Sequence, residues 1–118
     1  MSFTSEERKE RARAAIRKHY SENPEYYYER KLKRRLRNQE YVNALKNNPC
    51  TDCGNTFHFV AMDFDHRDKK EKHKSISRMV NEGISVLGIQ KEIDKCDLVC
   101  ANCHRVRTYL RGDHLNAG

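Results

Sequence analysis

Four of the five cysteines in this 118-residue chain fall into two C-x2-C pairs, Cys50 with Cys53 and Cys100 with Cys103. Two such pairs can converge on one tetrahedral ion, with each sulfur about 2.3 Å from a zinc. Gly54 follows the first pair and can support the tight turn of a zinc knuckle. Four thiolates leave the ion no open position, so the spacing predicts a structural zinc and places any chemistry elsewhere. Two redox C-x2-C motifs are the competing reading, but a redox motif usually occurs once, in a thioredoxin-like pattern. Cys96 is left over and, close to Ile93, reads as a small buried hydrophobe.

A second group follows from the first. His104 directly follows Cys103, and Asp65-His66 closes the apolar stretch after Cys53. Pinning the cysteines would therefore draw one carboxylate and two imidazoles toward a common cleft. Asp65 and His104 offer the oxygen and nitrogen ligands that suit a divalent ion with water-filled positions, and His66, on the other side of the strand end, could take a proton from water. That equipment suits hydrolysis of a phosphodiester. An Asp-His dipeptide alone is more often a surface pair; beside a Cys-His at a zinc knuckle it reads as a site. His19, His58, His73 and His114 lack such a context.

The elements that must position these residues lie beyond Pro49, where every glycine and cysteine of the chain is found. The spacing predicts a strand over 57–64, ending at Asp65 and His66, then a polar loop over 67–74. Ile76, Met79 and Val80 suggest a short helix closed by Gly83; Val86, Ile89 and Ile93 suggest another. A brief strand over 97–99 and a final helix over 101–110, closed by Gly112, complete the body.

Residues 1–48 read as a separate basic helical arm. They hold 13 Lys and Arg against 7 Asp and Glu, whereas the remaining residues are nearly neutral; the whole chain carries +7. Thr4 with Glu7 fits a capping box opening a first helix that stops near Asn23; Asn23 then caps a second, with Pro24 at its first position, ending before Pro49. Its apolar positions, Leu32, Leu36 and Leu45, are too sparse for a buried helix. Arg30, Lys31, Lys33, Arg34, Arg35 and Arg37 crowd one short stretch behind Tyr26, Tyr27 and Tyr28, a pattern that can lie along phosphates, or simply form a solvated face.

Only 36% of the chain is hydrophobic and 35% is charged, with no Trp. Two full-sized domains are excluded, and something besides burial must hold the body together. The longest purely apolar run, Phe59 to Met62, excludes a membrane span, and the beginning of the chain lacks a signal-peptide h-region, so an unexported, cytoplasmic protein is expected. In that reducing setting the cysteines point to metal, not disulfides.

Taken together, Cys50-x2-Cys53, Asp63-Phe64-Asp65-His66-Arg67-Asp68, Glu71-Lys72, Ile76-Ser77, Glu92 to Cys96 and Leu98 to Arg105 resemble the zinc-stabilised HNH endonucleases common in bacteriophage genomes, over about residues 49–111. The arm, with its Asn-Pro-Glu-x-Tyr start, is also similar to the arms of such proteins. The resemblance implies an α+β, zinc-stabilised ββα-metal domain over 49–118 behind a DNA-binding arm over 1–48, acting in a bacterial host cell. It implies His66 as general base, Asp65 and His104 as ligands of a catalytic Mg2+, Mn2+ or Ni2+, and Arg107 as a residue steadying a phosphate. It further implies DNA cut to 5′-phosphate and 3′-hydroxyl ends, with packaging support, homing or restriction as compatible tasks. One departure stands out: the motif's middle Asn, which ties down the loop between the strands, is missing, with Lys95 and Asp97 in its region and Asn102 between the last two cysteines. A single copy would most simply nick, and a double-strand break would need two.

Two other classes share parts of this pattern. A non-catalytic zinc module binding nucleic acid or protein would use the knuckles and the arm with Asp65, His66 and His104 idle. A rubredoxin-like electron carrier would use the four cysteines but not the basic arm.

Overall fold

Thr4 starts the first helix: its hydroxyl accepts the Glu7 N–H at 3.1 Å, and α1 runs Ser5–Glu22. In the computed structural model, which describes residues 2–112, α1 is followed by α2 (Pro24–Leu45), β1 (Met62–His66), α3 (Ile76–Asn81), α4 (Val86–Ile93), β2 (Cys96–Cys100) and α5 (Ala101–Leu110). His114 lies outside the described residues. The chain divides into two compact units between Lys33 and Arg34, within α2, so Pro49 falls inside the second unit.

In the first unit α1 buries no residue, and Ile16 and Tyr20 of its thin apolar stripe stay exposed. Aromatic rings organise the turn into α2. Tyr20 and Tyr27 lie 4.6 Å apart, and the His19 ring is edge-on to both Tyr26 and Tyr27. The Asn23 side chain donates to the His19 carbonyl at 2.9 Å, so it closes the end of α1; the expectation that it caps the start of α2 is met only by its backbone carbonyl, which accepts from Tyr27.

The second unit corrects the view of α2 as unburied. Its later turns bury Val42 and, fully, Asn38, whose amide donates to the Ile84 carbonyl at 2.9 Å. Val42 joins Ile76, Met79 and Val80 of α3 and Ile89 and Ile93 of α4 in one apolar cluster, with Tyr41, Leu45, Phe64 and Ile84 against it. Ser75 and Ser85 cap α3 and α4 through their hydroxyls, and Gly83, at φ +70, supplies the left-handed turn between the helices.

β1 and β2 pair antiparallel, with Met62 opposite Cys100, Asp65 opposite Asp97 and His66 opposite Cys96. The strand expected from Phe57 begins only at Met62. His58 accepts the Val60 N–H through its ring nitrogen and caps a 3₁₀ turn over Phe59–Ala61, which takes that stretch out of the ladder. The second strand is longer at both ends than expected, and the final helix has the bounds the sequence suggests, closed by Gly112 at φ +76. A second cluster joins Cys50 to Met62, Val99 and Cys100 of the two strands. Met62 and Val99, with half-buried Leu98 against them, are a thin core for two strands and a helix, and the other buried members of the cluster are cysteines.

Candidate metal centre and active site

The four C-x2-C cysteines meet. One sulfur from each of Cys50, Cys53, Cys100 and Cys103 lies within 4.8 Å of the others, the single group of three or more suitable donors among the described residues. Sulfurs about 2.3 Å from one tetrahedral ion would stand about 3.8 Å apart, so the four side chains could hold a metal such as zinc with small adjustments. The backbone is already arranged for thiolates: Cys100 N–H points at Cys50 Sγ at 3.3 Å and Cys103 N–H at Cys100 Sγ at 3.4 Å. Burial works against the Cys50 thiolate, but N–H groups of Cys53, Cys100 and Asp52 outweigh it and bring its pKa down to about 6. The neighbouring Cys100 sulfur, then burial and the other two sulfurs, push Cys103 up to about 12, the crowding that a dication would relieve. Cys96 is buried and donates to the Glu92 carbonyl, outside the cluster as expected.

Alternation along β1 sorts the second group onto two faces. Asp63 and Asp65 turn toward α5, whereas Phe64 enters the apolar cluster and His66 reaches α4. Because α5 begins at its capping Cys100, His104 sits on its first turn, with Nε2 3.5 Å from Asp65 Oδ1 and Nδ1 3.1 Å from Asp63 Oδ2. Two ligands of one divalent ion lie roughly 3 to 3.5 Å apart, so the Asp65–His104 pair has a ligand spacing. Asp63 on Nδ1 completes the carboxylate–histidine arrangement that leaves Nε2 as the ligand nitrogen.

Asp65 is 5% exposed and heavily engaged. Arg111 binds both its oxygens, at 2.9 and 2.8 Å, and Arg107 binds Oδ2 at 3.1 Å. Burial raises its carboxyl pKa, yet these guanidinium groups, Arg111 foremost, hold it below the usual carboxylate range. A carboxylate has about four lone-pair sites, and three are used; the remaining one belongs to Oδ1, the oxygen nearest His104. Arg107 also grips Asp52 twice at 2.6 Å and Asp97 at 3.0 Å. In this arrangement it braces three carboxylates, and it is not turned toward an open phosphate position.

His66 lies across the sheet from the Asp65–His104 pair, 7% exposed, with Nε2 2.8 Å from the buried Glu92 carboxylate. Beside Asp63 and His104 opens a pocket of about 270 Å³, lined also by Gln39, Lys46, Ser75 and Ser77. Of the basic run, Arg30, Lys31, Lys33, Arg35 and Arg37 are exposed and Arg34 is half-buried. Arg30 donates to Tyr26 Oη at 2.8 Å.

Sequence reasoning gave no role to Asp63, Glu92 or Arg111, although the first two stand in the stretches that carry the resemblance. Asp63 carried a signal, since two residues before Asp65 on a strand means the same face. Glu92 carried a weaker one, standing three residues after Ile89 and next to Ile93 on the buried stripe of α4.

No protein-family model matches this chain, and neither does any curated protein or solved structure. Among the described residues no helix is long and apolar enough to cross a membrane.

Proposed function

We propose that this protein is a metal-dependent DNA endonuclease of the HNH type, its β1–β2–α5 unit a ββα-metal fold fastened by a structural zinc on Cys50, Cys53, Cys100 and Cys103. The observation that carries the reading is the Asp65 Oδ1 to His104 Nε2 spacing of 3.5 Å, with His66 next along the strand. A divalent cation such as Mg2+, Mn2+ or Ni2+ at that pair would supply positive charge to offset the charge building on the phosphate and on the departing 3′ oxygen. His66 takes the proton of the attacking water. In-line displacement puts attack and departure on opposite sides of phosphorus, so a base and a cation site on opposite faces of one strand end suit it. Asp63 orients His104; Arg107 and Arg111 keep Asp65 ionised. The cationic stretch from Arg30 to Arg37 grips the backbone of DNA without reading its sequence.

A non-catalytic zinc module that binds nucleic acid is favoured by one observation, the engagement of both Asp65 oxygens by guanidinium groups. A supercoiled-plasmid assay with Mg2+, Mn2+ or Ni2+ separates the two. We expect relaxation of the plasmid by the wild-type chain. His66→Ala should lose on the order of 10² to 10⁴ in rate, with zinc content unchanged, since it removes a general base and no thiolate. His104→Ala should also be slow but partly restored by excess divalent metal, which His66→Ala should not be. No cleavage by the wild type with any of the three ions would leave the binding module as the function.

A further inference from the structure

Glu92 is a carboxylate only 3% exposed in a small, highly charged protein, and the mechanism above gives it no task. Its partners come from three directions. Oε2 lies 2.8 Å from His66 Nε2 and accepts the His73 N–H at 3.0 Å; Oε1 accepts Lys95 Nζ at 2.9 Å. The same ammonium donates to the Glu71 carbonyl at 3.1 Å, and the Lys95 carbonyl accepts the Arg67 N–H at 3.1 Å. Glu92 and Lys95 thus fasten both ends and the middle of the segment that leaves β1 after His66, in a chain with no Asn in the stretch ahead of Cys100.

The orientation of His66 follows from that carboxylate. Burial pushes the Glu92 carboxyl up, but Lys95, the His73 N–H and His66 together overcome this and hold it at about 2. An ionised carboxylate only accepts, so the hydrogen between the two side chains is on Nε2, and in the neutral ring the lone pair is on Nδ1. Nδ1 has no hydrogen-bond partner among the described residues, and there no buried side-chain nitrogen or oxygen lacks one. Solvent therefore reaches Nδ1.

We infer that Glu92 is a positioning residue for His66: it fixes the ring as the Nε2–H tautomer, presents Nδ1 to water as the proton acceptor, and with Lys95 clamps the segment over 67–74 beside it. The inference rests on the nuclease reading for its consequence in catalysis, but its geometric content stands apart from that reading. A ring held by a carboxylate on one nitrogen works as a base with the other, and losing such a partner leaves the ring free to take the wrong tautomer.

The test uses the full-length, zinc-loaded protein. Long-range ¹H–¹⁵N spectra of the histidine rings are recorded well above the ordinary imidazole pKa of about 6.5, with His66→Ala identifying the His66 signals. The wild type should show His66 protonated on Nε2 alone. Glu92→Gln keeps the volume of the side chain and removes its charge; it should give a mixture of tautomers with zinc content unchanged. On a duplex substrate it should lower kcat about 10- to 100-fold while KM moves little. An Nδ1–H ring in the wild type overturns the inference without recourse to any variant. So does a Glu92→Gln protein with the wild-type tautomer and wild-type kcat. If the wild type cuts nothing with Mg2+, Mn2+ or Ni2+, the nuclease reading fails, and the ring spectra still decide what Glu92 does.

Discussion

Asp63 and Asp65 stand two residues apart on one strand face, yet the structure gives them opposite surroundings. Asp65 is sunk among guanidinium groups, whereas Asp63 is 44% exposed and touches His104 Nδ1. Only Asp63 fits the part of an outer carboxylate that would set which nitrogen of His104 faces the proposed divalent ion. Asp63→Asn should therefore weaken divalent-metal binding at that pair, raising the Mn2+ concentration that half-saturates cleavage about 10- to 100-fold while leaving the zinc cluster intact. An unchanged metal titration would show that His104 needs no such support. Glu92 makes a pH prediction at the same scale. Its folded pKa of about 2 lies below the ordinary 4.5, so between these values the unfolded chain binds more protons and stability rises with pH. Acidification from pH 4.5 toward 2 should remove stability on the order of 3 kcal/mol through this group. Urea melts of wild type and Glu92→Gln across that window should converge at the acid end; parallel curves would mean that Glu92 is equally placed when unfolded.

At the scale of elements, α5 was legible to the residue because the cysteine pair at its start and Gly112 just past its end agree. The start of β1 was not, because a histidine cap diverted Phe59–Ala61 into a 3₁₀ turn although the residues suit a strand. α2 misled for another reason. Asn38 and Val42 are buried, but an asparagine that satisfies its amide on a distant carbonyl looks, in sequence, like a solvent-facing residue. Glu92 was given no role for the same reason, a charge standing on an apolar stripe and answered by His66 and His73, 26 and 19 positions away. The metal ligands were readable because their spacing is local, whereas Arg111 on Asp65 spans 46 positions and leaves no local mark. If the four cysteines hold a metal, the thinness of the cluster at β1 and β2 would make these elements dependent on it. Removing zinc with a strong chelator, or replacing Cys53 with Ser, should cost the β1–β2–α5 unit its fixed tertiary signals. Met62 and Val99 are the two buried members of that cluster that are not cysteines, and with half-buried Leu98 against them they are too few to stand in for four metal bonds. Near-ultraviolet circular dichroism with zinc quantified by mass spectrometry checks this, and a metal-free sample with native signals would contradict it.

Over the whole molecule the excess positive charge is concentrated in the first 48 residues, while the residues that could do chemistry lie after Asp52. Affinity and rate should respond to different mutations. Lys31, Lys33 and Arg35 are exposed, and none of them belongs to the carboxylate network around Asp65. Changing all three to Gln lowers the net charge of +7 by three and leaves the site untouched. If each contacts one phosphate of duplex DNA, the slope of log affinity against log salt should shrink by about 0.9 per residue, because each contact displaced nearly one condensed cation. Binding at low salt should weaken with it. The cleavage rate at saturating DNA should stay near wild type, since no group near phosphorus has changed. Fluorescence anisotropy with a labelled duplex over a range of NaCl concentrations measures the slope, and single-turnover cleavage measures the rate. A reduced slope with an unaltered rate assigns the run to backbone contact. An unaltered slope assigns it to solvent, and any cations that meet DNA must then be sought elsewhere on the chain.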